Sequence, residues 1–289
     1  MVRHGTGAGW QVRRIPAARV PQIEMMPALA LRNPMEGLLE VDVSRARQLL
    51  RAQRERTGET WSFTAFVIAC VARAVAEQPQ VQAFRRGRRL LVFEQVDVAT
   101  MVEVTIDGER VPLPYVIRDA GNRSVPELHR TLRSVQGDPA AHATDNRRQV
   151  GRLLRLPRPL RWLLWQILAR SPRLWQRHGG TVTVTSVGMF GSGRAWGHGL
   201  ACYPVTVTVG GISEQLHLVS GRPEVHEHLH LTVSLDHDAV DGGPAARFLH
   251  RLRELLETGQ GLEAGPTDDD PAVPAATVGS ADRSTIDGP

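Results

Sequence analysis

Leu229–Gly243 reads LHLTVSLDHDAVDGG, and its successive parts signal different structures. Leu229, Leu231, Val233 and Leu235 alternate with His230, Thr232, Ser234 and Asp236, the period-two pattern of a strand with one apolar face. The strand breaks into an acidic turn around His237 that Gly242-Gly243 closes. Pro244 then opens a helical pattern (Ala245, Phe248, Leu249, Leu252, Leu255, Leu256) that Gly259 can end. A strand that delivers one histidine into a turn just before a helix is a rigid mount for a general base. Asp241, four residues on, is placed to fix the ring tautomer or the loop geometry. The plainer alternative is a surface histidine among turn-forming aspartates, Asp236, Asp238 and Asp241.

Three blocks of the chain carry a resemblance. Ser234–Gly243 (SLDHDAVDGG), followed by Ala245-Ala-Arg-Phe-Leu249, resembles the active-site motif of the 2-oxoacid dehydrogenase dihydrolipoyl acyltransferases. Chloramphenicol acetyltransferase shares its His-to-Asp-Gly spacing. Gly180–Gly191, GTVTVTSVGMFG, resembles the same family's Gly-Thr-Phe-Thr-Ile-Ser/Thr-Asn-x-Gly-x-Phe-Gly strand and turn. Val205–Gln215, VTVTVGGISEQ, resembles the strand that follows. Upstream, LLEVDVSRARQLLRAQ, FTAFVIACVARAVAEQPQVQA and Pro112–Arg118 (PLPYVIR) resemble the entry, a helix and a strand of the same catalytic domain.

The resemblance implies an α/β fold, a chloramphenicol acetyltransferase-like two-layer sandwich with a mixed β-sheet. It also implies a CoA-dependent acyltransferase. His237 would be the general base, Thr185 the hydroxyl that donates to the tetrahedral oxyanion, and Asp241 the residue that holds the turn through an arginine not placed by sequence. Ser186, Gly188 and Asp236 are the candidate substrate-binding residues. The expected partners are acyl-CoA and a small-molecule or carrier-borne acceptor, in a homotrimer whose sites lie between subunits. The alternative is an inactive scaffold or membrane-surface binding protein that keeps the trimeric fold. Two departures stand out. Ser186 replaces the family's usual Asn, and Asp238 replaces the Arg that usually follows the histidine. An unpaired carboxylate there would make His237 a poorer base.

Composition narrows the chemistry. Among 289 residues, 42% are hydrophobic, which suits a globular chain with a sizeable core. Every one of the 35 basic residues is arginine, so no lysine is present for a Schiff base, a phosphate loop or a covalently bound lipoyl group. The reading is therefore of a stand-alone catalytic domain without lipoyl or peripheral-subunit-binding domains, with coenzyme A as substrate. The net charge of +5 raises nucleic-acid binding, but no recognition module accompanies it and no nucleic-acid partner is expected. Cys70 and Cys202 make no disulfide framework. No apolar stretch reaches the length of a membrane span, and the expected location is cytoplasmic, with peripheral membrane attachment as the other option.

The expected layout is an irregular segment 1–15, a catalytic domain 16–264 and a disordered tail 265–289 rich in Gly, Pro, Asp and Ala. Prolines at 16, 21, 27 and 34 argue against helix before residue 36. Leu38–Val43 reads as a short strand, with Ser44 as the cap of a helix, and Ser62–Gln78 and Ser124–Val135 read as further helices. The basic turn Arg85–Arg89 reads as solvated, with contact to CoA phosphates as its functional alternative.

Within the domain, about 150–178 departs from the resemblance: GRLLRLPRPLRWLLWQILARSPRLWQRHG is rich in Leu, Trp and Arg, and Pro157, Pro159 and Pro172 divide it into short helices. Leu153, Leu156, Leu160, Leu163, Leu164, Ile167 and Leu168 mark one face. Packing against the domain or a neighbouring subunit, contact with an anionic membrane, and walling of an acyl or acceptor pocket all fit it. His226, His228 and His230 share one strand face with Glu224. Their spacing of about 6.6 Å lets one ion bridge two of them but hardly three, so a solvated face is expected there and no metal site.

Overall fold

The computed structural model describes residues 3–4, 11–12, 15, 20–29, 32–106, 109–139, 141, 155–187 and 193–263. A small ribbon, β1 (Arg3–His4) and β2 (Gln11–Val12), precedes helix α1 (Val20–Leu29) and strand β3 (Pro34–Asp42). Helices α2 (Ser44–Thr57) and α3 (Phe63–Glu77) follow, then a hairpin of β4 (Phe84–Arg86) and β5 (Arg89–Leu91). Strands β6 (Val98–Ile106) and β7 (Glu109–Ile117) lead to α4 (Val125–Gly137). The Leu/Trp/Arg stretch forms α5 (Arg158–Arg170) and α6 (Pro172–Gly179). The chain then returns through β8 (Val182–Ser186), β9 (Val205–Val219), β10 (Arg222–Asp236) and α7 (Gly242–Thr258).

Six strands make one sheet in the order β3-β10-β9-β8-β6-β7. It is mixed because β8 runs parallel to both β6 and β9, whereas the other pairs are antiparallel. Alternation along each strand sends one set of side chains into the core. Leu229, Leu231, Val233 and Leu235 of β10 meet Val205, Val207 and Val209 of β9 and Val182 and Val184 of β8 there. Helices α3 and α7 cover that face, and Phe66 and Phe248 are fully buried between the layers. The α/β two-layer sandwich with a mixed sheet is therefore the architecture expected from sequence.

The helix boundaries follow from capping. Ser62 accepts the Ala65 N–H to start α3, and Ser124 with Glu127 forms a capping box on α4. Gly259, at φ 70°, ends α7 in the left-handed conformation that glycine adopts without steric cost. In the middle of the β9–β10 pair, Gly210 and Gly211 both lie opposite His230, a bulge of one extra residue. A Cβ on Gly210 would stand 2.2 Å from the Ala195 carbonyl oxygen, so the segment that includes Ala195 can lie directly on β9.

Several expectations are corrected. Prolines do not keep the N-terminal region free of helix: Pro21 sits in the first turn of α1, where its missing N–H is not needed, and Pro27 lies inside the helix. Tertiary contact compensates, because Arg161 of α5 grips Glu24 of α1 with two hydrogen bonds at 2.8 and 2.6 Å. The first main strand begins at Pro34 and is longer than Leu38–Val43, since β10 offers it a continuous ladder from His228 to Asp236. Ser44 is not a cap; its hydroxyl donates to Asp42 and accepts from the Glu227 N–H. Leu168 leaves the shared face of its neighbours and joins a small cluster around Trp175, Phe84 and Phe93.

The histidine face is not solvated: His230 is fully buried and His228 nearly so. His226 pairs with Asp42 at 2.5 Å, and His228 and His217 share a hydrogen bond at 2.9 Å. Leu153, Gly188 and the segment 265–289 lie outside the described residues.

Candidate active site

His237 leaves the end of β10 on a turn that is fastened from three sides. Asp236, the last strand residue, is 4% exposed, and its carboxylate receives the Arg32 guanidinium at 2.7 Å and the Asp238 N–H at 3.2 Å. Its carbonyl accepts the N–H groups of Ala239 and Val240, while the His237 N–H donates to the Asn33 carbonyl at 2.9 Å. Arg32 also donates to the Cys202 carbonyl and lies over the Phe84 ring at 4.2 Å. Burial pulls the Arg32 guanidinium below its ordinary pKa, and the Asp236 carboxylate works against that shift. A hydrogen-bonded ion pair at this depth fixes the turn geometrically.

The imidazole itself is half-exposed. Its nearest carboxylate is Asp241, with Nδ1 4.0 Å from Oδ1, too long for a hydrogen bond. Asp241 is 89% exposed and meets no arginine among the described residues. The buried arginine-bound carboxylate is instead Asp236, five positions earlier, and the anchoring role expected of Asp241 falls to it. The worry raised by Asp238 is also resolved: it takes the Arg85 guanidinium at 2.7 Å and the Asn33 amide at 3.1 Å. Arg85 belongs to the basic hairpin β4–β5, which is therefore tied to the histidine turn and is not simply solvated.

Thr185 occupies a different place. It lies near the C-terminal end of β8, half-buried, and its hydroxyl makes no hydrogen bond among the described residues. With Ser186 it lines a cleft of about 940 Å³, walled by Trp61, Met101 and His129 and rimmed by arginines that include Arg54 and Arg133. His129 is buried there, and burial holds its pKa below the ordinary histidine value. Its Nδ1 accepts the Ser62 N–H at 3.1 Å, which joins α4 to the start of α3.

Strand register shows how far apart the two halves are. Thr185 pairs with Thr208, and Thr208 with Thr232, so Thr185 and Thr232 are two strand spacings apart on one line across the sheet. His237 lies five residues beyond Thr232, towards the end of the sheet where β8 begins. With about 3.3 Å per residue and about 4.8 Å per strand, Thr185 and His237 are separated by roughly 19 Å in one chain. The structure thus brings Asp236, His237 and Asp238 together, leaves Asp241 at the edge, and sets Thr185 and Ser186 apart. Gly188 falls outside the described residues. Sequence reasoning missed Arg32, the pairing of Arg85 with Asp238, and the arginine-rimmed cleft. Only the basic run at 85–89 carried any signal for them.

Part of the chain matches a known family. Residues 165–263 match the family described as 2-oxoacid dehydrogenases acyltransferase (catalytic domain). The chain is 28% identical over 222 residues to the dihydrolipoyllysine-residue succinyltransferase component of the 2-oxoglutarate dehydrogenase complex of Bartonella vinsonii, an alignment that covers 75% of this chain and 46% of the relative. Over residues 165–263 the chain is thus similar to the catalytic domain of the 2-oxoacid dehydrogenase acyltransferases.

The fold of this chain recurs in a probable dihydrolipoamide acetyltransferase of Listeria monocytogenes (TM-score 0.64, 20% identity, 86% of this chain and 95% of the other). It recurs also in the dihydrolipoamide acetyltransferase of Azotobacter vinelandii (TM-score 0.61, 17% identity, 87% and 93%). The chain spans about half the length, or less, of the curated acyltransferases it matches. The matched region takes in the α5 residues from Trp165 onward, so the Leu/Trp/Arg stretch lies partly inside it.

Proposed function

We propose that this protein transfers an acyl group between coenzyme A and a thiol or hydroxyl acceptor, at sites formed between copies of the chain. His237 on its fastened turn is the observation that carries the reading. The Azotobacter vinelandii dihydrolipoamide acetyltransferase supports it: the serine, histidine and asparagine investigated for their role in its catalysis have the same separations along the chain as Thr185, His237 and Asp241.

In the proposed reaction the imidazole removes the acceptor's proton as the thiol or hydroxyl attacks the thioester carbonyl. The carbonyl becomes a tetrahedral oxyanion, to which the Thr185 hydroxyl donates. Collapse breaks the carbon–sulfur bond, and the imidazolium returns the proton to the leaving CoA thiolate. Both substrates meet in one ternary complex, so no acyl-enzyme is needed. Arginines at the rim of the cleft, Arg54 and Arg133 among them, suit the phosphates of CoA, and the cleft leads to Thr185. The roughly 19 Å between Thr185 and His237 supports a site in which a second copy supplies whichever half the first lacks, as in a closed ring such as a trimer.

The test is thiol release from acetyl-CoA and longer acyl-CoAs with dihydrolipoamide as acceptor. Wild type should turn over, and His237→Ala should lose about 10²–10⁴-fold in kcat. Turnover that survives unchanged in His237→Ala would overturn the assignment. A folded wild type that neither turns over nor binds acyl-CoA would leave the scaffold alternative.

A further inference from the structure

Helix α5 presents two apolar faces, and among the described residues only one has a partner. Arg161, Trp165 and Leu168 turn inwards, towards Glu24 of α1 and the Trp175 cluster. On the other side Leu160, Leu163, Leu164 and Ile167 follow one another at i, i+3, i+4 and i+7, all exposed, with Leu163 and Ile167 at 47%. Trp162, 58% exposed, projects from the flank beside Arg158 and the exposed Ile23 of α1. Leu174 of α6 extends the apolar surface.

The charge around this ridge has one sign. Arg155, Arg158, Arg170, Arg173 and Arg177 are all exposed around it. From Asn146 to Ser213 the sequence contains no Asp or Glu. Glu24, the nearby carboxylate on α1, is already held by Arg161, which together with the other contacts keeps its pKa below the ordinary value. A second copy docking by the same face would set arginine against arginine. A helix of this pattern suits a surface that is negative, deformable and apolar just beneath.

We propose that α5 lies in the interface of an anionic lipid bilayer, with Leu160, Leu163, Leu164 and Ile167 among the upper acyl chains and the surrounding arginines at the headgroups. At 13 residues the helix is about 20 Å long, too short to span, and among the described residues no helix is long and apolar enough to cross a membrane. The catalytic domain would then work at a membrane surface, where a lipid-borne or apolar acyl acceptor is concentrated.

The test is flotation of the full chain with vesicles of phosphatidylcholine alone and with 30% phosphatidylglycerol. Wild type should partition at least tenfold more strongly to the anionic vesicles, and less so as salt is raised. Leu163→Ser/Ile167→Ser changes two exposed positions, so the fold is kept, as an unaltered melting temperature would show. It should lose at least tenfold in binding. Arg158→Gln/Arg170→Gln/Arg173→Gln should lose the preference for anionic lipid. Folded wild type that ignores both vesicles would overturn the proposal, and so would binding indifferent to both sets of substitutions. A fall in oligomer mass in Leu163→Ser/Ile167→Ser, with no vesicle binding by wild type, would assign the ridge to a subunit contact instead.

Discussion

Two inactive variants of this protein should restore each other. Thr185→Ala removes one hydroxyl from a half-buried strand position and should cost about 10²–10³-fold in kcat, the usual range for one oxyanion donor. His237→Ala truncates a half-exposed ring in a turn whose anchors are Asp236 and backbone groups, so the fold should survive. If Thr185 and His237 met within a chain, a mixture of the variants could contain only damaged sites. The sheet register separates them by roughly 19 Å, so the proposed site would take its histidine from one copy and its threonine from another. In a ring assembled at random from equal amounts, a site is intact when its histidine donor is the Thr185→Ala chain and its threonine donor the His237→Ala chain. About one quarter of the sites meet both conditions, for any closed ring with one site per interface. Coexpressed, differently tagged chains purified through both tags and assayed by thiol release should therefore exceed the Thr185→Ala parent by at least ~25-fold. Mixed oligomers no more active than their parents, with folding and assembly intact, would refute the shared site.

Further consequences follow from the anchors. Arg32→Ala leaves the Asp236 carboxylate buried without its cation and should cost about 3–5 kcal/mol in denaturant titrations, whereas Asp241→Asn, at an 89% exposed position, should stay within about 0.5 kcal/mol. Asp241→Asn should also keep its kcat within a few-fold in the thiol-release assay; a hundredfold loss would return the positioning role to Asp241. Burial lowers the pKa of both His129 and His230, so the unfolded chain binds more protons than the native one below about pH 6.5. Stability should fall as pH drops from 7 to 5, and His129→Gln should flatten that slope in melting experiments. Carboxylates held low by arginines, such as Glu77 beside Arg251, add their own loss only below about pH 4.5.

Local pattern accounts for what could be read in advance. The alternation in β10 and β9 and the 3.6-residue spacing in α3 and α7 depend only on neighbours in sequence, and each of those elements appears where the pattern puts it. Ser62, Ser124 and Gly259 mark helix ends because capping involves residues within one turn. Helix α1 escaped notice because prolines 21 and 27 speak against helix locally, while the Glu24–Arg161 pair that steadies it spans 137 positions.

The sequence by itself determined the two-layer α/β class, the strand–turn–helix mount of His237, the threonine strand of Thr185 and the absence of lysine chemistry. Each of these is a property of short segments or of composition. Tertiary structure alone decided which charges meet: Arg32 reaches Asp236 across 204 positions and Arg85 reaches Asp238 across 153. No spacing rule encodes such pairs, because strand order and layer packing bring them together. The same strand order places β8 two strands from β10 with Thr185 and His237 towards opposite ends of the sheet. It is therefore the fold, and not the motifs, that makes one chain insufficient for the proposed site.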